Sequence, residues 1–207
     1  RNLVLQILDF LKIKVGKFIY LDDNFYYFTN SKIPQYFSES ISIKILNKTL
    51  SQKNVEKKEK IYLSRGNSNF RNLINEGDLI EKLKKEGFQI VDTKKMTIFE
   101  QIKIFSSAKL VIGTTGSALT NIVFCSKGTR IIEITPKYKF EYEKNLKSRY
   151  SNICNELELD YQNIEADPAE VAKIDSKVKK FIPTKILEES NYYKNLLIKK
   201  NKFEKLI

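Results

Sequence analysis

The chain has 207 residues, a formal charge of +12 at neutral pH and no histidine. That length suffices for one substantial core, and scarce glycine and proline exclude a collagen-like or low-complexity chain. Without histidine, Ser/His/Asp and Cys/His catalysis and most zinc sites are excluded, so acid–base work falls to carboxylates or to the substrate.

The positive charge suits a polyanion: nucleic acid, an anionic membrane surface or a phosphorylated substrate. Lysine is spread along the whole chain and dominates over arginine, which argues against a dedicated nucleic-acid surface. Cys125 and Cys154 belong to no CxxC or Cys/His pattern and read as reduced, buried thiols of a cytosolic protein. No apolar run approaches the roughly 18 residues of a membrane span. The chain begins with Arg1 inside a helical pattern, from which upstream residues are expected.

Leu3, Ile7, Leu8 and Leu11 predict a helix over 3–13, and Gly16 a stop. "KFIYL" and "NFYYFT" read as strands around a polar turn at Asp22 to Asn24, and a helix is predicted from about Ser38 to Leu50. "SQKNVEKKEK" (51–60) has almost no apolar content and reads as a linker, dividing the chain into 1–50, 51–60 and 61–207. "KIYLS" (60–64) predicts the next strand. Asn75, Glu76 and Asp78 open a helix with Leu79, Ile80 and Leu83 on one face, ended by Gly87. "FQIV" (88–91) is a strand, and Thr97 with Glu100 has the spacing of a capping box opening the next helix. "KLVIG", a short helix from Ser117 to Phe124, and "TRIIEIT" follow. A helix through "EKNLKSRYSNICNELEL", an edge strand "DYQNI" and two lysine-rich helices complete the chain. Strands alternating with helices predict an α/β fold with a parallel sheet covered on both faces.

In such a sheet, ligands bind beyond the carboxyl ends of the strands. Four polar features fall there: Ser64 and Arg65, Lys94 and Lys95, the bend "GTTGS", and Glu133. Gly113 and Gly116 permit positive φ and close approach of a ligand, and the helix starting near Ser117 directs free N–H groups toward an anion such as phosphate. The bend matches neither a Walker loop nor GxGxxG, and plain structure would also explain it. Arg65 and Arg71, two arginines in a lysine-rich chain, suit bidentate phosphate recognition, or ion pairs with Glu76 or Asp78. Glu133 interrupts an apolar strand and suits ribose hydroxyls, or is a strand-end carboxylate that reaches solvent or caps a neighbouring turn. Asn121 either bridges the bend to a neighbouring loop or satisfies its own helix; Gln101 reads as an exposed helix residue unless it faces the cleft.

The ordered blocks "KIYLSRG", "FRNLINEGDLIEKLKKEGFQIVD", "MTIFEQIKIFSSAKLVIGTTGSALTNIVFCSKGTRIIEITP" and "NELELDYQNIE" resemble the glycosyltransferase family 61 type, also seen in bacterial capsular polysaccharide biosynthesis proteins. The resemblance runs over about residues 60–164, and the preceding segment looks like that family's middle region. It implies the C-terminal part of a GT-B protein built from two Rossmann-like domains: residues 1–50 would end an acceptor-side domain, most of which is absent, and 61–207 would bind a nucleotide-sugar donor. It also implies inverting transfer to a hydroxyl acceptor such as a glycan, without a metal or other cofactor, in the cytoplasm or peripherally at the inner face of the membrane. Carried over by position, Ser64, Arg65 and Arg71 match the family's SR...R block, Asn75 and Glu76 its NE pair, and Glu100 and Gln101 its EQ pair. Gly113, Thr114, Thr115, Gly116, Ser117, Ala118 and Asn121 match the loop that usually reads G-x-H-G-A-x-L-T-N, and Glu133 the acid of the final strand. Thr115 replaces the usual His and Ser117 the usual Ala. Arg65 and Arg71 would stabilise the leaving group. No general base is legible; Asp22 and Asp23 read as a polar turn. Alternatives are a nucleotide-sugar-binding module without transfer, and a basic nucleic-acid-binding protein.

Overall fold

A computed structural model describes residues 39–52, 55–66, 68–171 and 182–204, with a few isolated positions besides. The predicted helix over 3–13 lies largely outside the described residues, as do the strands before residue 30 and the lysine-rich stretch 172–181.

Helix α1 (Glu39–Leu50) carries Glu39 in its first turn and Lys48 in its last, both favourable to the helix dipole. It buries Ile43 and Leu50, one helical face, against the sheet domain. Asn47 fastens it there, donating to the carbonyls of Val123 (2.7 Å) and Cys125 (2.9 Å).

Strand β1 (Glu59–Leu63) leads to helix α2 (Glu76–Lys85). Gly87, at φ +79, supplies the left-handed residue that ends α2. The Gly87 and Phe88 N–H groups bond back to Lys84 and Leu83, and Leu83 and Phe88 enter the same core. Strand β2 (Gln89–Val91) precedes helix α3 (Ile98–Ser106), opened by the predicted Thr97/Glu100 capping box. Strand β3 (Ala108–Thr114), a 3-10 helix (Ser117–Phe124) and strand β4 (Arg130–Pro136) follow. Helix α4 (Glu141–Glu156), strand β5 (Asp160–Val171), helix α5 (Thr184–Glu189), strand β6 (Lys194–Leu197) and helix α6 (Lys200–Phe203) complete the described chain.

The six strands form one sheet in the order β2-β1-β3-β4-β5-β6. Strands β1 to β5 run parallel, and β6 is antiparallel to β5. Side chains alternate between two cores. Ile61, Leu63, Val111 and Ile131 pack under α1, α3, the 3-10 helix and α4. Tyr62, Leu110, Ile112, Ile132 and Ile134 pack under α2 and the stretch carrying Leu196 and Ile198. Cys125 and Cys154 are free and buried.

The predicted all-parallel sheet is corrected to a mixed one. Within the described sheet "DYQNI" pairs only with β4, as expected of an edge, but β5 continues well past it and from Asp167 pairs with β6. The chain's end carries β6 rather than helices alone. Its Leu196 is fully buried, but one apolar pair among lysines gives no strand signal. Among the described residues no helix is long and apolar enough to cross a membrane.

Candidate functional site

The chain leaves β1 toward β2 on one side and returns to β3 on the other, so the sheet order reverses between β1 and β3. Loops that part at such a point leave a crevice at the carboxyl ends of the strands. Arg65 follows β1 there, Thr115 and Gly116 follow β3, and a cleft of about 450 Å³ opens between them.

Two guanidinium groups form its floor. Arg65 donates from Nη1 to the Thr115 carbonyl (2.8 Å) and from Nη2 to the Phe70 carbonyl (3.0 Å). Arg71 donates from Nε to the same Thr115 carbonyl (3.1 Å) and from Nη1 to the Tyr192 carbonyl (3.2 Å). Arg71 is 4% exposed and sits at φ +61, unusual for a side chain of its size. Burial, then the neighbouring Arg71 cation, pulls the Arg65 pKa down to about 10, so its charge persists at neutral pH. Burial likewise lowers Arg71. Among the described residues neither arginine forms an ion pair, which excludes the pairing with Glu76 or Asp78 that their spacing allows. Exposed Lys94 and Arg149 add positive charge at the rim, and no carboxylate among the described residues lines the cleft. Buried cations without an anionic partner are costly, and a bound anion would relieve them.

Gly116 is extended rather than left-handed, and Gly113 has no positive φ either, so the conformational reason expected for these glycines is corrected to a spatial one. A Cβ on Gly116 would lie 2.0 Å from Arg65 Nη1, and one on Gly113 would meet the Leu63 side chain at 3.1 Å. Tyr150 Oη donates to the Gly116 carbonyl (2.6 Å), fixing the bend from the side of α4. The segment from Ser117 is a 3-10 helix whose amino end opens on the cleft.

Glu133 is fully buried in β4 and does not reach solvent. Tyr161 Oη donates to its Oε2 (2.6 Å). Burial raises its pKa, opposed by the Thr115 and Tyr161 hydroxyls and by Arg71 and Arg149. Glu133 Oε1, Tyr138 Oη, Thr114 Oγ1, Arg65 Nε and Asn191 Oδ1 are buried without a hydrogen bond of good geometry. Three of these five, Arg65, Thr114 and Asn191, line the cleft or adjoin a lining residue in sequence; Glu133 and Tyr138 sit together behind it.

Of the residues the sequence singled out, Arg65, Arg71, Thr115, Gly116 and Ser117 line the cleft, as does Lys94. The others are placed elsewhere. Ser64 Oγ accepts from the Gly66 N–H (3.2 Å). Asn75 makes no cap bond but pairs with Ile198 through both side-chain atoms. Glu76 accepts from Tyr62 Oη (2.9 Å). Gln101 is buried rather than exposed, donating to the Thr93 and Met96 carbonyls, both at 3.2 Å. Thr114 lies within the sheet beside the bend, and Ala118 packs on the core. Asn121 bonds only to Ala118 of its own turn. Lys95 is exposed and pairs with Asp92. Asp22 and Asp23 fall outside the described residues.

Sequence reasoning missed Phe70, Thr120, Arg149, Tyr150 and Tyr192 as lining residues. Arg149 and Tyr150 sit in a helix whose register toward the cleft has no local marker. Tyr192 arrives through a strand that itself was not legible.

A family model described as Glycosyltransferase 61 matches residues 6–132. Comparison with curated proteins gives no match. The expected C-terminal placement of the resemblance, over about 60–164, is thereby corrected: the matched domain occupies the N-terminal part of the chain. The quoted blocks are strand-and-bend signals, which miss α1, a helix inside the matched range that packs in the same core. The match ends within β4, one residue before Glu133, and α4, β5 and β6 lie beyond it.

Proposed function

The chain belongs to the glycosyltransferase 61 family, and from that premise we propose that its cleft binds the diphosphate of a nucleotide-sugar donor for transfer of the sugar to a hydroxyl acceptor. The observation that carries this reading is the pair of arginines at the β1/β3 crevice, Arg65 half-buried and Arg71 buried, neither ion-paired among the described residues. Arg65 and Arg71 are held by carbonyl oxygens, which orients the guanidinium planes and leaves N–H donors over. As the sugar–phosphate bond breaks, charge grows on the leaving diphosphate. Donors fixed beforehand, in a poorly hydrated floor, favour that state without reorganising. The amino end of the 3-10 helix and the rim cations Lys94 and Arg149 act in the same sense. We read the sheet as the donor-binding unit of a GT-B-type enzyme, with in-line, inverting attack. No carboxylate among the described residues lines the cleft, so none of the lining residues supplies a carboxylate general base.

A second reading, binding without transfer, is favoured by Thr115. Its hydroxyl lies by Glu133 and Tyr138 behind the cleft, and only its backbone meets the arginines. Transfer and hydrolysis assays with the donor that binds separate the two.

The test is titration calorimetry with UDP, CDP, GDP and inorganic pyrophosphate on the wild type, Arg65→Ala and the control Lys95→Ala. Loss of a charge-assisted contact of about 1.5–3 kcal/mol predicts that Arg65→Ala binds roughly 10- to 150-fold more weakly, with Lys95→Ala unchanged. No binding of any anion by the wild type, or equal binding by Arg65→Ala, overturns the assignment.

A further inference from the structure

The back wall of the cleft comes from a stretch that the family match does not reach. Residues 190–198 cross from α5 through Tyr192 to β6, anchored at their start by Ser190 Oγ on buried Glu143 and by Asn191 Nδ2 on the Lys137 carbonyl (2.7 Å). From there they pair with the loop that carries Arg71. The Arg71 N–H donates to the Lys194 carbonyl (3.1 Å), Leu196 N–H to Asn72 (2.8 Å) and Ile74 N–H to Leu196 (2.9 Å). Asn75 and Ile198 close the ladder.

Resting on the anion-site reading above, we infer that this C-terminal segment is a positioning device for Arg71, with Tyr192 as its positioning residue. Three observations converge on it. First, the Arg71 backbone is left-handed, a conformation that persists in a bulky residue only when neighbours fix it, and the ladder to 194–198 does so. Second, the Arg71 guanidinium lies 3.8 Å from the Tyr192 ring centroid and 4.6 Å from that of Phe70. Those rings are braced by Tyr193, whose ring stands edge-on to both at 5.1 and 5.3 Å. Third, no carboxylate among the described residues holds the guanidinium in place. Rings on its face and carbonyls on two of its N–H groups do so instead, out of the five an arginine carries. A carboxylate would neutralise the charge and compete with a ligand anion. Aromatic faces steady the cation without consuming it. Tyr192 therefore sets the direction of the donors that remain on Arg71.

The experiment compares Tyr192→Phe and Tyr192→Leu, with Arg71→Lys and the Arg71→Lys/Tyr192→Leu double variant, by titration with inorganic pyrophosphate and UDP. Tyr192→Phe keeps an aromatic face and the backbone carbonyl, so its affinity stays within about twofold; Tyr192→Leu binds about 5- to 30-fold more weakly. Lysine keeps a charge that the ring can attract but presents no planar face to stack, so Tyr192→Leu costs less in the Arg71→Lys background than in the wild type. Wild-type affinity in Tyr192→Leu, or the same loss with and without Arg71, overturns the inference. Tyr192→Met replaces Tyr192→Leu if the latter does not fold.

A readout independent of any ligand is the Arg71 side-chain Nε–H signal in NMR. It exchanges slowly in the wild type and Tyr192→Phe and is lost in Tyr192→Leu. If the wild type binds neither probe, the anion-site reading fails and this signal still decides the positioning role: its persistence in Tyr192→Leu overturns it.

Discussion

Gly116 shows how little room the cleft floor leaves. Its backbone is one that any residue could adopt, so the position is constrained only by the Arg65 guanidinium where a Cβ would stand. Gly116→Ala is expected to displace Arg65 Nη1 from the Thr115 carbonyl and weaken pyrophosphate binding about tenfold or more, the worth of a charge-assisted hydrogen bond, with little loss of thermal stability. Calorimetry alongside a melting curve checks both halves. Glu133 behaves in the opposite manner, as a buried acid whose cost is paid in stability. Burial raises its pKa, so the fold binds its proton more tightly than the unfolded chain. Its stabilising contribution is then complete below the ordinary carboxylate range and is lost as pH rises through the elevated folded value. Glu100, Glu156 and Asp167 are shifted down by their hydrogen bonds and have the reverse effect, costing stability only as pH falls below that range. Melting temperature measured against pH should therefore decline upward from the carboxylate range in the wild type and lose that slope in Glu133→Gln. An unchanged slope would show that Glu133 ionises freely. The residue types at Arg65, Thr115 and Gly116 were legible because a bend after a strand has a mechanical role wherever it occurs. The hydrogen-bond partner of Glu133 was not, because Tyr161 reaches it only through the pairing of β4 with β5.

Elements with local signals formed as their sequences dictate. The Thr97/Glu100 capping box opens α3, and Gly87 ends α2, because both devices close within one or two turns. Asn75 shows where such logic fails. It stands at the cap position of α2, yet its side chain reaches Ile198 and makes no cap bond. Its role is to close the ladder between residues 71–75 and 194–198, so Asn75→Ala should loosen that ladder and leave the helix intact. Native-state hydrogen exchange checks this: the Ile74 and Leu196 amides lose protection, whereas those of Ile112 and Ile132, deep in the parallel sheet, keep theirs. Equal loss at all four would mean that Asn75 supports the whole fold. Strand β6 was illegible because four residues with Lys194 and Asn195 at their head carry too few apolar positions to set a period. Only distant pieces, the second half of β5 on one side and the loop carrying Arg71 on the other, give them partners.

At the scale of the whole molecule the sheet is a framework on which sequence-distant pieces meet. The β1 and β3 loops give the cleft its floor, α4 gives Arg149 and Tyr150, and the segment before β6 gives Tyr192. The sequence by itself determined the alternation of strands and helices, the parallel pairing of β1 to β5, most helix ends and the bend that carries the candidate site. These follow from periodicity and from turn chemistry, which are local. Only the tertiary structure decided that the sheet is mixed and that Arg71 is clamped by an aromatic ring more than a hundred positions away in the chain. It also places the hydrogen bonds of Asn75, Glu76 and Gln101 within the framework, away from the lining of the cleft. The physical reason is that burial and pairing depend on which surfaces meet, and no short stretch of chain encodes its distant neighbour.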